Sequence, residues 1–297
     1  MGFKYINPGY GILLPNHEDY TQYTGNMTYN PDCGMAIKRG SGDTLNQTIF
    51  PLTGATGNTV YFSFCLYNNN GYWGGGGAAL RSGSSNIGAT NSQGHMNYLG
   101  IGNESGNFNL STVGFYRITG SVTVGADGKF VLYVNGTKEI DAEIQADWNI
   151  AQSSLVIYQW ANTCYTSNII ISDSPISPAE KVIALPVAQT AATMTDNGNG
   201  TYTATEAGQT VLQTVDTAAL EAAIGADSRI TGICAIANPA YYDGSGLTSL
   251  VAMEGSTEKG TISLGTDTLG GGSVSWAKDS IAISSLAGVG IGWKSAT

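Results

Sequence analysis

The stretch that decides the fold is "FYRITGSVTVGADGKFVLYVNGTKEIDAEI", residues 115–144. It holds three segments in which apolar and polar residues alternate, and this period of two is typical of strands with one buried face. Ala-Asp-Gly at 126–128 separates the first two segments, and Asn-Gly at 135–136 separates the second from the third. Asn-Gly is a strong signal for a two-residue hairpin turn. The stretch therefore predicts three consecutive strands joined by tight turns.

The rest of the chain favours an all-β protein. Charged residues make up only 11% of the sequence, against about 25% in a typical soluble domain. There are 41 glycines among 297 residues, about twice the average usage. Further strand-like segments lie at "TVYFSFCLY" (59–67), "SLVIYQW" (154–160) and "SNIIISD" (167–173). Strands of this length at this spacing predict a two-sheet sandwich.

Charge and hydropathy exclude several classes of partner. The net charge is -10, with only 12 lysines and arginines, whereas binding to nucleic-acid phosphates needs clustered basic side chains. We therefore expect neither nucleic acid nor an anionic membrane surface as a partner. No apolar run approaches the ~18 residues of a membrane span. The first residues lack the basic start and unbroken apolar stretch of a secretory signal, so we expect synthesis in a cytoplasm without signal cleavage.

A proline-rich connector predicts two domains. "SPISPAEKVIALPVAQT" (174–190) carries three prolines, and we place the domains at 1–184 and 185–297. Beyond the connector, short alternating segments again predict strands. The exception is "TAALEAAIGA" (217–226), which predicts one short helix with Thr217 as its N-cap and Gly225 as its stop. The second domain is thus expected to be a smaller, mostly β, sandwich-like module.

Two segments carry a family resemblance. "VTVGADGKFVLYVNGTKEID", followed later by "SNIIISDSPISPAEKV", resembles the laminin-G-like, concanavalin-type jelly roll, in which "lYVNG" is a recurring hairpin and a late strand closes the sandwich. The resemblance covers roughly residues 40–183. The pairing with a β-rich module that ends in "GWK" is similar to phage and prophage virion proteins.

The resemblance implies a function without catalysis. It implies a structural protein of a bacteriophage virion, of the tail-fibre or capsid-decorating type, that contacts other virion proteins and host-surface carbohydrate. Such a protein is expected to form homo-oligomers, with a trimer favoured. The alternative outside the virion is a subunit of a bacterial surface appendage, which would need an export route.

An acidic strand raises an enzymatic alternative. Glu139, Asp141 and Glu143 stand at every second position and so share one strand face. This spacing resembles the catalytic strand of family 16 glycoside hydrolases, which implies Glu139 as nucleophile, Glu143 as acid/base and Asp141 as an aid between them. However, the Trp- and Gly-rich approach of those enzymes is missing. The apolar residues in between, Ile140 and Ala142, also fit a strand that is buried on one face and solvated on the other. We favour this second, non-catalytic interpretation.

Aromatic and amide residues in and beside a glycine-rich stretch (68–94) predict a sugar-binding surface. Aromatic rings stack on the apolar faces of sugars while amides bond their hydroxyl groups. The competing interpretation is that the same residues pack against the sandwich or a neighbouring subunit. The candidates are Tyr67, Tyr72, Trp73, Tyr98, Asn69 and Asn70.

No cofactor is required by the sequence, although some laminin-G-like domains bind calcium. Calcium takes six to eight oxygen ligands, and the two candidate contributors are Asp127, at a turn, and Asp173, near a strand end. Turn capping by the same carboxylates is the simpler account. Four dispersed cysteines, without a C-x-x-C pair, favour buried thiols, with a Cys33–Cys164 or other bridge as the alternative; they are Cys33, Cys65, Cys164 and Cys234.

Overall fold

A computed structural model of the protein describes residues 3–7, 28–30, 34–38, 45–68, 76–92, 95–99, 105–109, 114–160, 164–240, 246–264 and 270–297. The chain forms two compact units that divide between Val182 and Ile183. The predicted fold class is confirmed: a two-sheet antiparallel sandwich of the jelly-roll kind is followed by a smaller, mostly β unit with one short α-helix. No helix among the described residues is long and apolar enough to cross a membrane.

The first unit is built from strands and one 3-10 turn at Ile150–Gln152. The strands are β1 (Lys4–Asn7), β2 (Thr28–Asn30), β3 (Gly34–Lys38), β4 (Leu45–Pro51), β5 (Thr59–Asn68), β6 (Gly76–Ser82), β7 (Ser85–Ser92), β8 (His95–Leu99), β9 (Ser105–Asn109), β10 (Gly114–Thr123), β11 (Lys129–Val134), β12 (Thr137–Glu143), β13 (Ser154–Trp160) and β14 (Cys164–Ser172).

These strands form two antiparallel sheets. The eight-stranded sheet has the order β12-β11-β10-β5-β14-β3-β2, and β1 also pairs with β14. The six-stranded sheet has the order β4-β13-β6-β7-β8-β9. Strands β10, β11 and β12 are sequential neighbours joined by tight turns, as the opening stretch predicts. Asn135 and Gly136 have φ angles of 51° and 82°, which is why this turn needs residues that tolerate the left-handed region.

One apolar core lies between the two sheets. Phe62 and Phe130 come from the eight-stranded sheet, and Leu80 and Leu155 from the six-stranded sheet; all belong to the same buried cluster. Each side chain of this kind contributes about 1.5–3 kcal/mol when fully buried. In β11 every second residue is buried. The alternation of apolar and polar residues in the sequence therefore decides which face of the strand turns toward the core.

The segment after β14 is fastened to the outer side of the eight-stranded sheet. Lys4 on β1 forms an ion pair with Glu180, and both side chains are about nine-tenths buried. Arg117 on β10 donates a hydrogen bond to the main-chain oxygen of Glu180. The first half of the predicted connector thus belongs to the sandwich.

The second unit has a five-stranded antiparallel sheet with the order β15-β18-β23-β20-β21, a small hairpin of β16 and β17, and a long two-stranded ribbon of β19 and β22. A 3-10 turn covers Ile283–Leu286. The elements are β15 (Val187–Ala192), β16 (Thr195–Asp196), β17 (Tyr202–Thr203), β18 (Thr210–Val215), α1 (Thr217–Ile224), β19 (Arg229–Ala240), β20 (Ser249–Glu254), β21 (Thr257–Ser263), β22 (Gly270–Ala282) and β23 (Gly290–Ala296).

The core of the second unit joins the sheet, the ribbon and the helix. Trp293 of β23, Trp276 of β22 and Leu220 of α1 belong to one buried cluster. The Nε1 of Trp293 donates a 3.0 Å hydrogen bond to the carbonyl oxygen of Ile236 on the ribbon. This bond satisfies a polar atom that would otherwise be buried without a partner.

The short helix forms where it was predicted, but its N-cap was wrong. The cap is Asp216, whose carboxylate accepts a 2.9 Å hydrogen bond from the N–H of Ala219, and Thr217 is the first helical residue. An aspartate adds a favourable charge at the helix N-terminus, which gives it the advantage over the threonine. Gly225 ends the helix with a φ of 90°, as predicted.

Candidate functional site

The predicted sugar-binding residues lie partly outside the described residues: Asn69, Asn70, Tyr72 and Trp73 fall there. Position 67 lies near the end of β5 in the eight-stranded sheet, opposite Phe115. Position 98 lies on β8 in the six-stranded sheet, opposite Ala89. The two tyrosines therefore belong to different sheets, and the described backbone does not bring them onto one strand pair. The proposed aromatic surface stays a prediction.

The acidic strand is β12, at the edge of the eight-stranded sheet. Ile140 and Ala142 are buried in the core, whereas Asp141 and Glu143 are exposed and Glu139 is half-buried. The predicted orientation, apolar inward and acidic outward, is confirmed. At about 3.3 Å per residue, the Cα atoms of Glu139 and Glu143 are roughly 13 Å apart.

Asp141 is held by two lysines. Its carboxylate oxygens lie 2.7 Å from the Nζ of Lys129 and 2.6 Å from the Nζ of Lys138. Hydrogen bonds from Lys129 and Lys138 lower the pKa of Asp141 below its usual value. Both oxygens of the central carboxylate of the E-I-D-A-E motif are thus engaged in surface ion pairs.

The two calcium candidates are far from equivalent. Asp127 is exposed in the turn after β10. Asp173 accepts hydrogen bonds from the main-chain N–H of Thr56 at 3.0 Å and from its hydroxyl at 2.8 Å. Burial raises the pKa of Asp173, but hydrogen bonds from the main chain of Phe3 and from Thr56 outweigh it, and the net pKa is lowered. Asp173 therefore fastens the loop before β5. Among the described residues, no three His, Cys, Asp or Glu side chains gather as metal ligands.

A second apolar cluster lies on the other face of the six-stranded sheet. We call it the outer-face cluster; it consists of Ala79, Val156 and Tyr158, with Ile49 packed against them. These residues alternate along β6, β13 and β4 with residues of the inter-sheet core, so they point away from that core. Ala79 and Val156 have no exposed surface, and Tyr158 is 4% exposed. Both faces of this part of the sheet are consequently buried.

A polar array borders the outer-face cluster. Arg81 follows Ala79 by two positions on β6, and its Nε donates a 2.8 Å hydrogen bond to the Oδ1 of Asn86 on β7. Its Nη2 lies 3.4 Å from the hydroxyl oxygen of Tyr158 on β13. Arg81 and Asn86 are only half-buried. Three strands thus bring together a guanidinium, an amide and a phenol hydroxyl beside the buried outer-face cluster.

The pairing register extends this face across neighbouring strands. Position 47 on β4 lies opposite Tyr158, and position 45 lies opposite position 160. Position 90 on β7 lies opposite Gly77. These positions are the neighbours of the array in the backbone register.

Sequence reasoning missed this site. The available signal was the unbroken apolar runs "AAL" (78–80) and "LVIY" (155–158), because a strand that is buried on both faces reads as continuous rather than alternating. Arg81 at the end of the first run and Tyr158 at the end of the second were the polar residues to single out.

No family model matches the sequence, and no curated protein matches it. Among solved structures, the receptor-binding domain of botulinum neurotoxin D is 14% identical with a TM-score of 0.38; the match covers 53% of this chain and 45% of that one. An endo-β-1,4-glucuronan lyase from the fungus Trichoderma reesei is 12% identical with a TM-score of 0.37, over 57% of this chain and 95% of the lyase. Alginate lyase Aly36B is 12% identical with a TM-score of 0.30, over 58% and 97%.

Thus the aligned part of this chain spans less than half of the neurotoxin domain. Similarities at this level of identity carry no argument about binding or catalysis, which has to come from the site itself.

Proposed function

We propose that this chain is a non-enzymatic attachment protein that binds carbohydrate at the half-buried Arg81 and Asn86, at the border of the outer-face cluster of its six-stranded sheet. The observation that carries the proposal is the array of Arg81, Asn86 and Tyr158 at the border of the outer-face cluster. Binding sites for small polar molecules use a few placed hydrogen-bonding groups to orient the ligand, and this array supplies a guanidinium and an amide for that purpose.

The chemistry of the array suits sugar hydroxyl or carboxylate groups. Arginine presents a rigid fork of donors, and the amide of Asn86 offers both a donor and an acceptor. Arg81 and Asn86 are half-buried, so part of each side chain reaches solvent. Tyr158 is almost fully buried and acts as a support that orients Arg81 through its hydroxyl group.

The test is binding to a broad glycan array, followed by titration of the best ligand. Arg81→Ala should weaken binding by about tenfold or more, because a hydrogen bond to a charged group contributes about 1.5–3 kcal/mol. The matched control is Arg229→Ala, since Arg229 is exposed and donates to the nearby main-chain oxygens of Asp227 and Ser228. Binding that survives Arg81→Ala unchanged would exclude this surface.

The setting that we propose is a bacteriophage particle, where the chain would act as a tail-fibre or capsid-decorating protein beside other virion proteins. The sequence resemblance to phage and prophage virion proteins supports this setting. Immunogold labelling of a lysate from the producing culture tests it directly. Label on tails or heads is the expected result; label on cell surfaces with bare particles would favour an appendage subunit instead.

A further inference from the structure

The edge strand β15 of the second unit is unusual in its exposure. It lies at one end of the five-stranded sheet and pairs with β18 on one side. All six of its residues, "VAQTAA", are exposed. An exposed edge presents unpaired N–H and C=O groups to any other strand, and proteins usually protect such edges with charged side chains, proline or strong bulges.

The other edge of the same sheet is protected in this way. Strand β21 carries Glu258 and Lys259. Glu258 forms an ion pair with Lys294, and Lys259 lies 2.8 Å from Glu254. Strand β15, by contrast, carries no charge: it lies inside an uncharged segment that runs from Val182 to Thr195. Pro186 and a register shift between Val187 and Gln189 interrupt its beginning, which leaves residues 189–192 as the regular, uncharged part of the edge.

Exposed apolar side chains concentrate beside this uncharged edge. Val187, the first residue of β15, is 49% exposed, and Ile183, four residues earlier, is 38% exposed. Among the described residues, the only other large apolar side chain with comparable exposure is Ile236, at 40%. Exposed apolar groups next to an open strand edge are typical of an interaction surface.

Charge decides what fits this edge. Each chain carries a net charge of -10, so two copies repel each other, and a contact without charged side chains avoids placing like charges opposite each other. A strand that pairs antiparallel with itself brings its central residues face to face. On β12 this arrangement would oppose acidic residues such as Asp141, and like charges directly opposite are destabilising. On β15 it opposes only neutral side chains.

We propose that β15 is a homotypic docking edge, on which β15 of a second copy pairs antiparallel across a two-fold axis and joins two five-stranded sheets into one continuous sheet. This proposal is independent of carbohydrate binding. It also predicts an unusual salt dependence: added salt screens the repulsion between the acidic chains, while the neutral contact contains no ion pair to weaken. Association should therefore strengthen as salt rises.

Sedimentation velocity over a concentration series tests the proposal. The wild-type chain should show reversible self-association, and Thr190→Lys and Thr190→Glu should each weaken it by about tenfold or more, because like charges then meet near the axis. Mixing the two variants should restore association, since lysine now meets glutamate. The matched control is Thr257→Lys on the protected edge β21, where Thr257 is also exposed; it should leave association unchanged.

All variants should have the melting temperature of the wild type. A loss of association can then be distinguished from a loss of folding. A wild-type chain that stays monomeric at every concentration would overturn the proposal. So would a Thr190→Lys variant that associates normally, a mixture that fails to restore association, or a Thr257→Lys variant that disrupts it.

Discussion

The guanidinium of Arg81 and the side-chain amide of Asn86 are joined across the β6–β7 hairpin by an Nε–Oδ1 hydrogen bond of 2.8 Å. The two residues are directly opposite each other in the strand register. This bond fixes the plane of the guanidinium before any ligand arrives. Binding a sugar would therefore cost less side-chain conformational entropy. The pair is therefore the part of the candidate site that mutation tests most directly.

Asn86→Ala should weaken glycan binding while leaving the fold intact. The change removes the acceptor that orients Arg81 but keeps the guanidinium itself, so we expect a loss of about threefold to tenfold, less than for Arg81→Ala. Titration calorimetry with the best array ligand provides the measurement. Ser85→Ala, at the exposed neighbouring position of the same hairpin, is the control and should bind like the wild type. An Asn86→Ala variant with full affinity would show that Arg81 does not need this orientation.

Gly88→Ala should destabilise the sandwich. A Cβ atom at Gly88 would lie 2.2 Å from the carbonyl oxygen of Ala78 and 2.3 Å from the Cα of Ala79, and both are main-chain atoms that cannot rotate away. Overpacking of this kind costs about 1–3 kcal/mol. Urea unfolding measures the loss. Gly114→Ala is the control, because nothing lies within 4 Å of a Cβ there; equal stability of the two variants would contradict the close strand approach.

Glu254→Gln should destabilise the second unit at neutral pH by about 3 kcal/mol, because it leaves buried lysines without their counter-charge. Glu254 forms ion pairs with Lys259 and Lys278, and its side chain is only 10% exposed. Differential scanning calorimetry measures the loss, because tryptophans lie in both units and their fluorescence would not separate the two. Glu258→Gln is the control: Glu258 is 59% exposed in its pair with Lys294, and a surface pair contributes about 1 kcal/mol at most.

The stabilisation by Glu254 should also depend on pH. Burial raises the pKa of Glu254, but hydrogen bonds from Lys259 and Lys278 outweigh it, and the net pKa lies below the ordinary value of 4.5. A carboxyl group with a lowered folded-state pKa stabilises the fold above its unfolded pKa, and this contribution is lost as the pH falls through the folded pKa. The difference in melting temperature between the wild type and Glu254→Gln should therefore shrink on acidification below pH 4.5. A difference that stays constant would contradict the ion-pair account.

The wild-type chain should release no reducing ends from a broad panel of β-glucans. The reason is that Asp141, the residue between the two carboxylates of a family 16 arrangement, is already held by Lys129 and Lys138. Glu139→Gln and Asp141→Asn should bind the array ligand like the wild type. Hydrolysis that Glu139→Gln abolishes would replace our proposal with a glycosidase.

Local features of the chain were predictable because neighbouring residues decide them. The Asn135-Gly136 turn and the alternation through Phe130, Leu132 and Val134 place β11 and β12 correctly, since a hairpin needs only its turn residues and its strand period. The helix at Thr217–Ile224 was also placed correctly, although its cap was shifted by one residue because Asp216 and Thr217 are both good N-caps.

The candidate site was not predictable in the same way. Arg81 and Asn86 are close in sequence, but Tyr158 and Val156 join them only because β13 inserts between β4 and β6 in the sheet. Nothing within a window of neighbouring residues encodes that order.

The amino-acid sequence by itself determined the fold class, the hairpins and the outward direction of the acidic residues on β12, because these depend on turn chemistry and a period of two. The tertiary structure alone decided which strands are neighbours, and hence that Arg81 meets Tyr158, that Glu254 lies between two lysines, and that β15 is left at an open edge. Strand order depends on contacts between residues far apart in the chain, and their free energy is shared over the whole core rather than carried by any short segment.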